Sequence, residues 1–155
     1  MRKIVLMLLL AVVSGSAMAG SWLYEQHVDE MTGKKTTIAS KTSINTVEFG
    51  FPYQGKQRAT IFIIEDKVAI SIEKGQLNCS SDASYNSCTV LLKFDNEDAA
   101  PMSAWHVGDD STSLQLGGAN FIDNVKKSKK LKIQVSVYQN GTHVFNFDVR
   151  GFEQK

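Results

Sequence analysis

The sequence predicts a mainly β fold: a β-sandwich or small barrel of antiparallel strands, with one α-helix in its C-terminal half. Three observations predict it. Apolar residues recur at every second position through several runs, Asn140-Gly141 separates two such runs near the end, and one segment after Gly117-Gly118 has helical spacing. A period of two places alternate side chains on one buried face of a strand, whereas a period of 3.6 marks an amphipathic helix.

Thr60-Ile-Phe-Ile-Ile64 is nearly continuous in apolar residues, the pattern of a strand covered on both faces. Glu65-Asp66-Lys67 is a hairpin loop, and beyond it Val68, Ile70 and Ile72 alternate with Ala69, Ser71 and Glu73. The next strand carries Val90, Leu92 and Phe94, and the solvated turn Asp95-Asn96-Glu97-Asp98 closes it. A helix is expected over Asn120 to Lys130, with Phe121, Ile122 and Val125 on one face, Asn120 as N-cap and Asp123 in the first turn. Its lysine-rich end complements the helix dipole. Leu131, Ile133, Val135 and Val137 then alternate with polar residues up to Gln139-Asn140-Gly141-Thr142, where Asn-Gly favours the positive φ angles of a type I′ hairpin. In the last strand Phe145, Phe147 and Val149 point inward, while Asn146, Asp148 and Arg150 face out. Pro52 and Pro101, the only prolines, interrupt none of the runs needed as central strands.

The first residues have the three parts of a secretory leader. Met1-Arg2-Lys3 is charged, Ile4 to Val13 is an apolar run, and Ala17-Met18-Ala19 fits the A-x-A cleavage pattern. The apolar run has half the length of about 20 residues that a membrane-spanning helix needs. Residues 1–19 are therefore expected to be a cleaved signal peptide, and residues 20–155 a single β-rich, soluble domain in the periplasm without stable membrane insertion. No cysteine near the cut offers a site for lipid. Removing Arg2 and Lys3 takes 17 basic residues to 15 against 16 acidic ones, a net charge of −1. That balance argues against nucleic acid as a partner.

Cys79 and Cys88 are the only cysteines, and in an oxidising compartment they are expected to pair. They bracket a polar loop between the Val68–Glu73 and Thr89–Asp95 strands, and a bridge there is expected to pin the base of a hairpin loop and to stabilise by roughly 2–3 kcal/mol through chain entropy. A redox pair usually has two residues between its cysteines, and a zinc site needs four ligands.

Catalytic patterns do not emerge. His27, His106 and His143 share no metal-ligand spacing, and the chain lacks a G-x-S-x-G nucleophile elbow. Asp95, Glu97, Asp98, Asp109 and Asp110 form two acidic clusters, which glycoside hydrolysis would use only if two carboxylates faced each other across a cleft. No catalytic residue, metal or cofactor is expected. Lys126, Lys127, Lys129, Lys130 and Lys132 make a basic patch, read first as a solvated helix end and second as a polyanion contact. No aromatic residue interleaves with these lysines to stack bases. Phe49-Gly50-Phe51-Pro52-Tyr53 concentrates aromatic rings, and Trp22 and Tyr24 raise the same question. They either close the core or, where exposed, make a partner patch of Phe51, Tyr53, Trp22 and Tyr24.

Several short motifs bear a resemblance. They are Trp22-Leu-Tyr24, Asp29-Glu-Met31-Thr32-Gly33-Lys34, the strand pair around Cys79 and Cys88, and Phe121 ahead of Leu131-Lys-Ile133. Tyr138-Gln-Asn-Gly141 and Phe145-Asn-Phe147-Asp-Val149-Arg-Gly151-Phe152 complete the set. Together they resemble small exported proteobacterial proteins similar to VasI of type VI secretion clusters, many of which have Pro where this chain has Glu30. The resemblance implies a periplasmic β-rich accessory protein and transfers no active site.

The expectation is a non-enzymatic binding or accessory protein that contacts another periplasmic or envelope protein, in a secretion-associated or inhibitor- or immunity-like role. The alternative is a small hydrolase or lectin-like module acting on envelope glycans.

Overall fold

A computed structural model describes residues 21–79 and 87–155. The expected leader falls outside these residues, as does the interior of the loop between the cysteines. The strands are β1 (Leu23–Val28), β2 (Lys35–Thr42), β3 (Val47–Phe49), β4 (Gly55–Gln57), β5 (Ala59–Ile64) and β6 (Lys67–Ile72). After them come β7 (Ser87–Phe94), β8 (Ala100–Val107), β9 (Asp110–Leu116), the helix α1 (Phe121–Lys127), β10 (Lys130–Val137) and β11 (Gly141–Asp148). Nine strands form one antiparallel sheet in the order β1-β2-β5-β6-β9-β8-β7-β10-β11, and β3 and β4 form a separate hairpin.

The predicted alternation accounts for the core. Ile61 and Ile63 from β5 and Val68, Ile70 and Ile72 from β6 are buried on one face. Val90, Leu92 and Phe94 from β7, Leu131, Ile133, Val135 and Val137 from β10, and Phe145 and Phe147 from β11 are buried on the same face. A single sheet can bury one face against itself only by curling, and contacts between its two ends show that it does. Trp22, just before β1, donates its indole N–H to the Val149 carbonyl just after β11 (3.2 Å) and packs on Phe152, with ring centroids 4.8 Å apart. The Glu153 N–H is bonded to the Tyr24 hydroxyl at 2.8 Å. The result lies between a sandwich and a barrel, with no β1–β11 ladder among the described residues.

Several local expectations change. β5 is fully buried on one face only: Phe62 and Ile64 on the other are half-buried, and no second layer covers that side among the described residues. Pro101 lies inside a central strand, second in β8 and opposite Leu91, near enough to the strand start for the missing N–H to be tolerated. The helix has seven residues and ends at Lys127, and the Asn120 side chain makes no capping bond. Lys129 lies beyond it, and Lys130 and Lys132 belong to β10, because Asp95 accepts the backbone N–H groups of Lys129 and Lys130 (2.9 and 2.8 Å) and fixes the start of that strand. The β10–β11 turn is a three-residue loop closed by Asn140 N–H to Val137 carbonyl, and its positive φ angles fall on Gln139 (58°) and Gly141 (73°). Asn140 itself is not left-handed there.

Asp148, expected to face out, is buried at 9% exposure. Arg150 clamps it from two residues on, with Nε at 2.8 Å from Oδ1 and Nη2 on Oδ2. That pairing holds the Asp148 carboxyl below the usual carboxylate range. Lys41, also on the core face, is 5% exposed and has no hydrogen-bond or ion-pair partner among the described residues. Burial lowers its pKa, with Asp148 partly opposing the effect.

Cys79 and Cys88 are bonded, as expected, joining the segment after β6 to the start of β7. Around Leu77 that segment pairs with the far end of β10 through Asn78 N–H to Ser136 carbonyl and Tyr138 N–H to Gln76 carbonyl. The expected hairpin between β6 and β7 does not form, because β9 and β8 lie between them in the sheet, and the disulfide instead fastens the segment laid along β10 to the start of β7. No described helix is long and apolar enough to cross a membrane.

Candidate partner-binding site

Among the described residues, the β3–β4 hairpin carries the most exposed aromatic side chain. Phe49 roots it in the core at 1% exposure, 5.0 Å from the His143 ring. Gly75 makes room for this anchor: a Cβ there would lie 3.3 Å from the Phe49 ring and 3.2 Å from Ile72, and its φ of +112° disfavours a side chain in any case. The tip turns back by Tyr53 N–H to Gly50 carbonyl (3.0 Å), with Pro52 in the cis form.

Asn140 couples this tip to the β10–β11 loop. Its Oδ1 accepts the Gly50 N–H at 2.6 Å, and its Nδ2 donates to the Tyr138 carbonyl at 3.3 Å. Two loops far apart in sequence thus become one braced end of the sheet. Phe51 projects from it at 77% exposure, with Tyr138 at 48% on the neighbouring loop. Burying such a ring on a fixed tip costs little ordering entropy, which favours it as a contact anchor.

The expected four-residue aromatic patch does not form. Trp22 is a core residue at 6% exposure, because its indole finds both a carbonyl partner and the Phe152 ring. Tyr24 lies on the inner side of β1, half-buried, with Lys155 Nζ 4.4 Å above its ring. Tyr53 packs partly against the core. Only Phe51 remains as an exposed ring of that set.

The other candidates are dispersed. Asp95, Glu97 and Asp98 are exposed in the β7–β8 loop, and Asp109 and Asp110 are exposed in the β8–β9 turn. These loops lie at opposite ends of β8, so the two clusters do not converge on a cleft. Asp95 holds the start of β10, and Asp110 holds its own turn through the Thr112 N–H (2.8 Å) and hydroxyl (2.7 Å), which depress its pKa. His27 is exposed on β1, His106 is half-buried on β8, and the His143 Nε2 is 2.9 Å from the Asn140 carbonyl. No group of three or more metal-ligating side chains converges among the described residues. Lys126, Lys127, Lys129, Lys130 and Lys132 are all exposed, and Lys126 reaches Gln154 at 2.8 Å.

A second surface escaped the sequence reading. On the outer face, Leu23, Ser40, Phe62, Ala69, Gln115 and Trp105 form one cross-strand row. A Cβ on Gly117 would lie 2.9 Å from Trp105 Cζ3, so the indole lies against glycine backbone while remaining 36% exposed. The alternation of Trp105 with Ala104 and His106 carried this signal, but the neighbouring strands could not be aligned without the fold.

No protein-family model, curated protein or solved structure matches this chain.

Proposed function

We propose that this is a non-enzymatic binding or accessory protein of the periplasm, exported by residues 1–19 and acting through protein contacts at the braced β3–β4 tip. The observation that carries this reading is Phe51, 77% exposed on a tip that Phe49 and Asn140 hold in place. The Cys79–Cys88 disulfide is compatible with an oxidising compartment. A secretion-associated role, in line with the VasI-like resemblance, and an inhibitor- or immunity-like role both belong to this reading.

A photo-crosslinking residue installed at position 51 in the living host tests it. The expected result is a discrete protein adduct that is absent when the same residue replaces Lys56, an exposed β4 position of the same hairpin. Phe51→Ser should abolish competition for that adduct without changing thermal stability. Equal labelling from positions 51 and 56 would overturn the reading.

The outer row supports a second reading, a lectin-like contact with envelope glycans. A flat, half-exposed indole with Gln115 and Ser40 along its row offers stacking and hydrogen bonding together. Soluble peptidoglycan fragments should quench Trp105 fluorescence saturably, and Trp105→Ala should remove the response; no saturable response removes this reading.

A further inference from the structure

The two edge strands of the sheet are finished differently, and we infer that β1 is a self-pairing edge that takes the β1 of a second copy in antiparallel register centred on Gln26.

The free side of β1 can be assigned residue by residue. Asp29 N–H bonds the Lys34 carbonyl at 2.9 Å, so Asp29 points its backbone toward β2. Strand alternation then directs Leu23, Glu25 and His27 to the β2 ladder, and leaves the N–H and C=O groups of Tyr24, Gln26 and Val28 aimed away from it. The other side of β2 agrees: Ser43 N–H bonds the Ala59 carbonyl of the β5 side, so odd residues of β2 face β5 and even ones face β1. No described backbone group bonds these three outward residues. Unpaired edges are ordinarily blunted by lysine, proline, a bulge or a covering loop. β1, Leu-Tyr-Glu-Gln-His-Val, has no lysine, proline or bulge, no described loop covers it, and its pairing with β2 is regular throughout.

Side-chain pairing across the contact selects the occupant and the register. Only outward residues can exchange hydrogen bonds, which leaves three well-overlapped antiparallel alignments of two β1 strands. Centring on Glu25 sets Glu25 against its own copy, and centring on His27 sets the two histidines together. Centring on Gln26 instead places Glu25 of each copy opposite His27 of the other. This is a non-hydrogen-bonded pair, in which side chains approach most closely. The same register sets Tyr24 against Val28, an aromatic–β-branched pair on the inner face that covers Val28, now 46% exposed. Three outward residues per copy, each with one N–H and one C=O, give six interchain hydrogen bonds. The C-terminal residues do not obstruct the edge, since Glu153 bonds the Tyr24 hydroxyl from the inner face. An isologous contact of this kind closes as a twofold dimer and cannot propagate through β1. With one six-residue strand from each side, it belongs with small, transient interfaces.

Sedimentation of the processed chain over a wide concentration range tests the inference. The wild type should show a reversible monomer–dimer equilibrium. Gln26→Pro removes both central N–H donors from the dimer but none from the β1–β2 ladder, so it should weaken association by about tenfold or more with unchanged thermal unfolding. Glu25→Lys and His27→Glu should each weaken association, and the double variant should restore it by setting an opposite-charge pair across the contact. A wild type that stays monomeric at its solubility limit would overturn the inference. So would a dimer indifferent to Gln26→Pro, or a double variant as weak as the singles.

Discussion

β11 and β1 end the same sheet, yet one is sealed and the other is bare. At β11 the loop after β2 takes the free edge: Ile44 N–H bonds the Asn146 carbonyl at 2.8 Å, while the Asn45 side chain bonds the Val144 carbonyl (2.9 Å) and the Asn146 N–H (2.7 Å). One asparagine, 101 positions from Asn146 in sequence, thus supplies both a donor and an acceptor to a strand edge. At β1 nothing described does this. Burial follows the same division, for β11 ends in buried Phe145, Phe147 and Asp148, whereas five of the six residues of β1 are exposed. The difference teaches that a strand can belong to a sheet by ladder alone and contribute little to the core, and such a strand remains available for other pairings.

The sharpest way to break the comparison is to empty the β11 side of the core. Phe145→Ala should cost about 3–5 kcal/mol, measured by urea unfolding, because the ring is fully buried and its neighbours cannot all collapse into the space. Asn45→Ala should cost about 0.5–1.5 kcal/mol by removing its bonds to the Asn146 N–H and the Val144 carbonyl, and hydrogen exchange at Asn146 should accelerate with it.

Asp148 adds a smaller, pH-dependent part to the same side. Arg150 lowers its folded pKa, so its stabilisation is fully present above the unfolded carboxylate value and is lost as pH falls through the folded one. The urea midpoint of the wild type should therefore decline from about pH 5 downward, and Asp148→Asn should remove that part of the decline. Least of all, Leu23→Ala on β1 should change stability by no more than about 0.5 kcal/mol despite removing a large side chain, since Leu23 is 58% exposed. A cost there equal to that at Phe145 would mean that β1 is not peripheral.

The sequence exposed those parts of the fold whose cause is local. Alternation in Val68–Ile72, Val90–Phe94 and Leu131–Val137 identified strands of the core because each carries its own buried face. β2 was hidden because Lys41 occupies a core-facing position, which breaks the apolar rhythm. The seven-residue helix was overextended because Lys129 and Lys130 suit a helix end equally well, and Asp95 decides otherwise from 34 and 35 residues away. The candidate site was half legible. The cluster of aromatics and glycine marked the β3–β4 tip, but its division into a buried Phe49 and an exposed Phe51 depends on Gly75 and Asn140. Trp22 belonged to the core for a reason no local pattern contains, namely a carbonyl 127 residues downstream.

That last contact sets an order of events. Made from its N-terminus, the chain presents Trp22 127 positions before the Val149 carbonyl that the indole needs. Contacts of such long sequence separation form late, after the intervening chain has been organised. The curl of the sheet can be locked only once Val149 and Phe152 have been made, and until then the Trp22 indole lacks both its carbonyl and its ring partner.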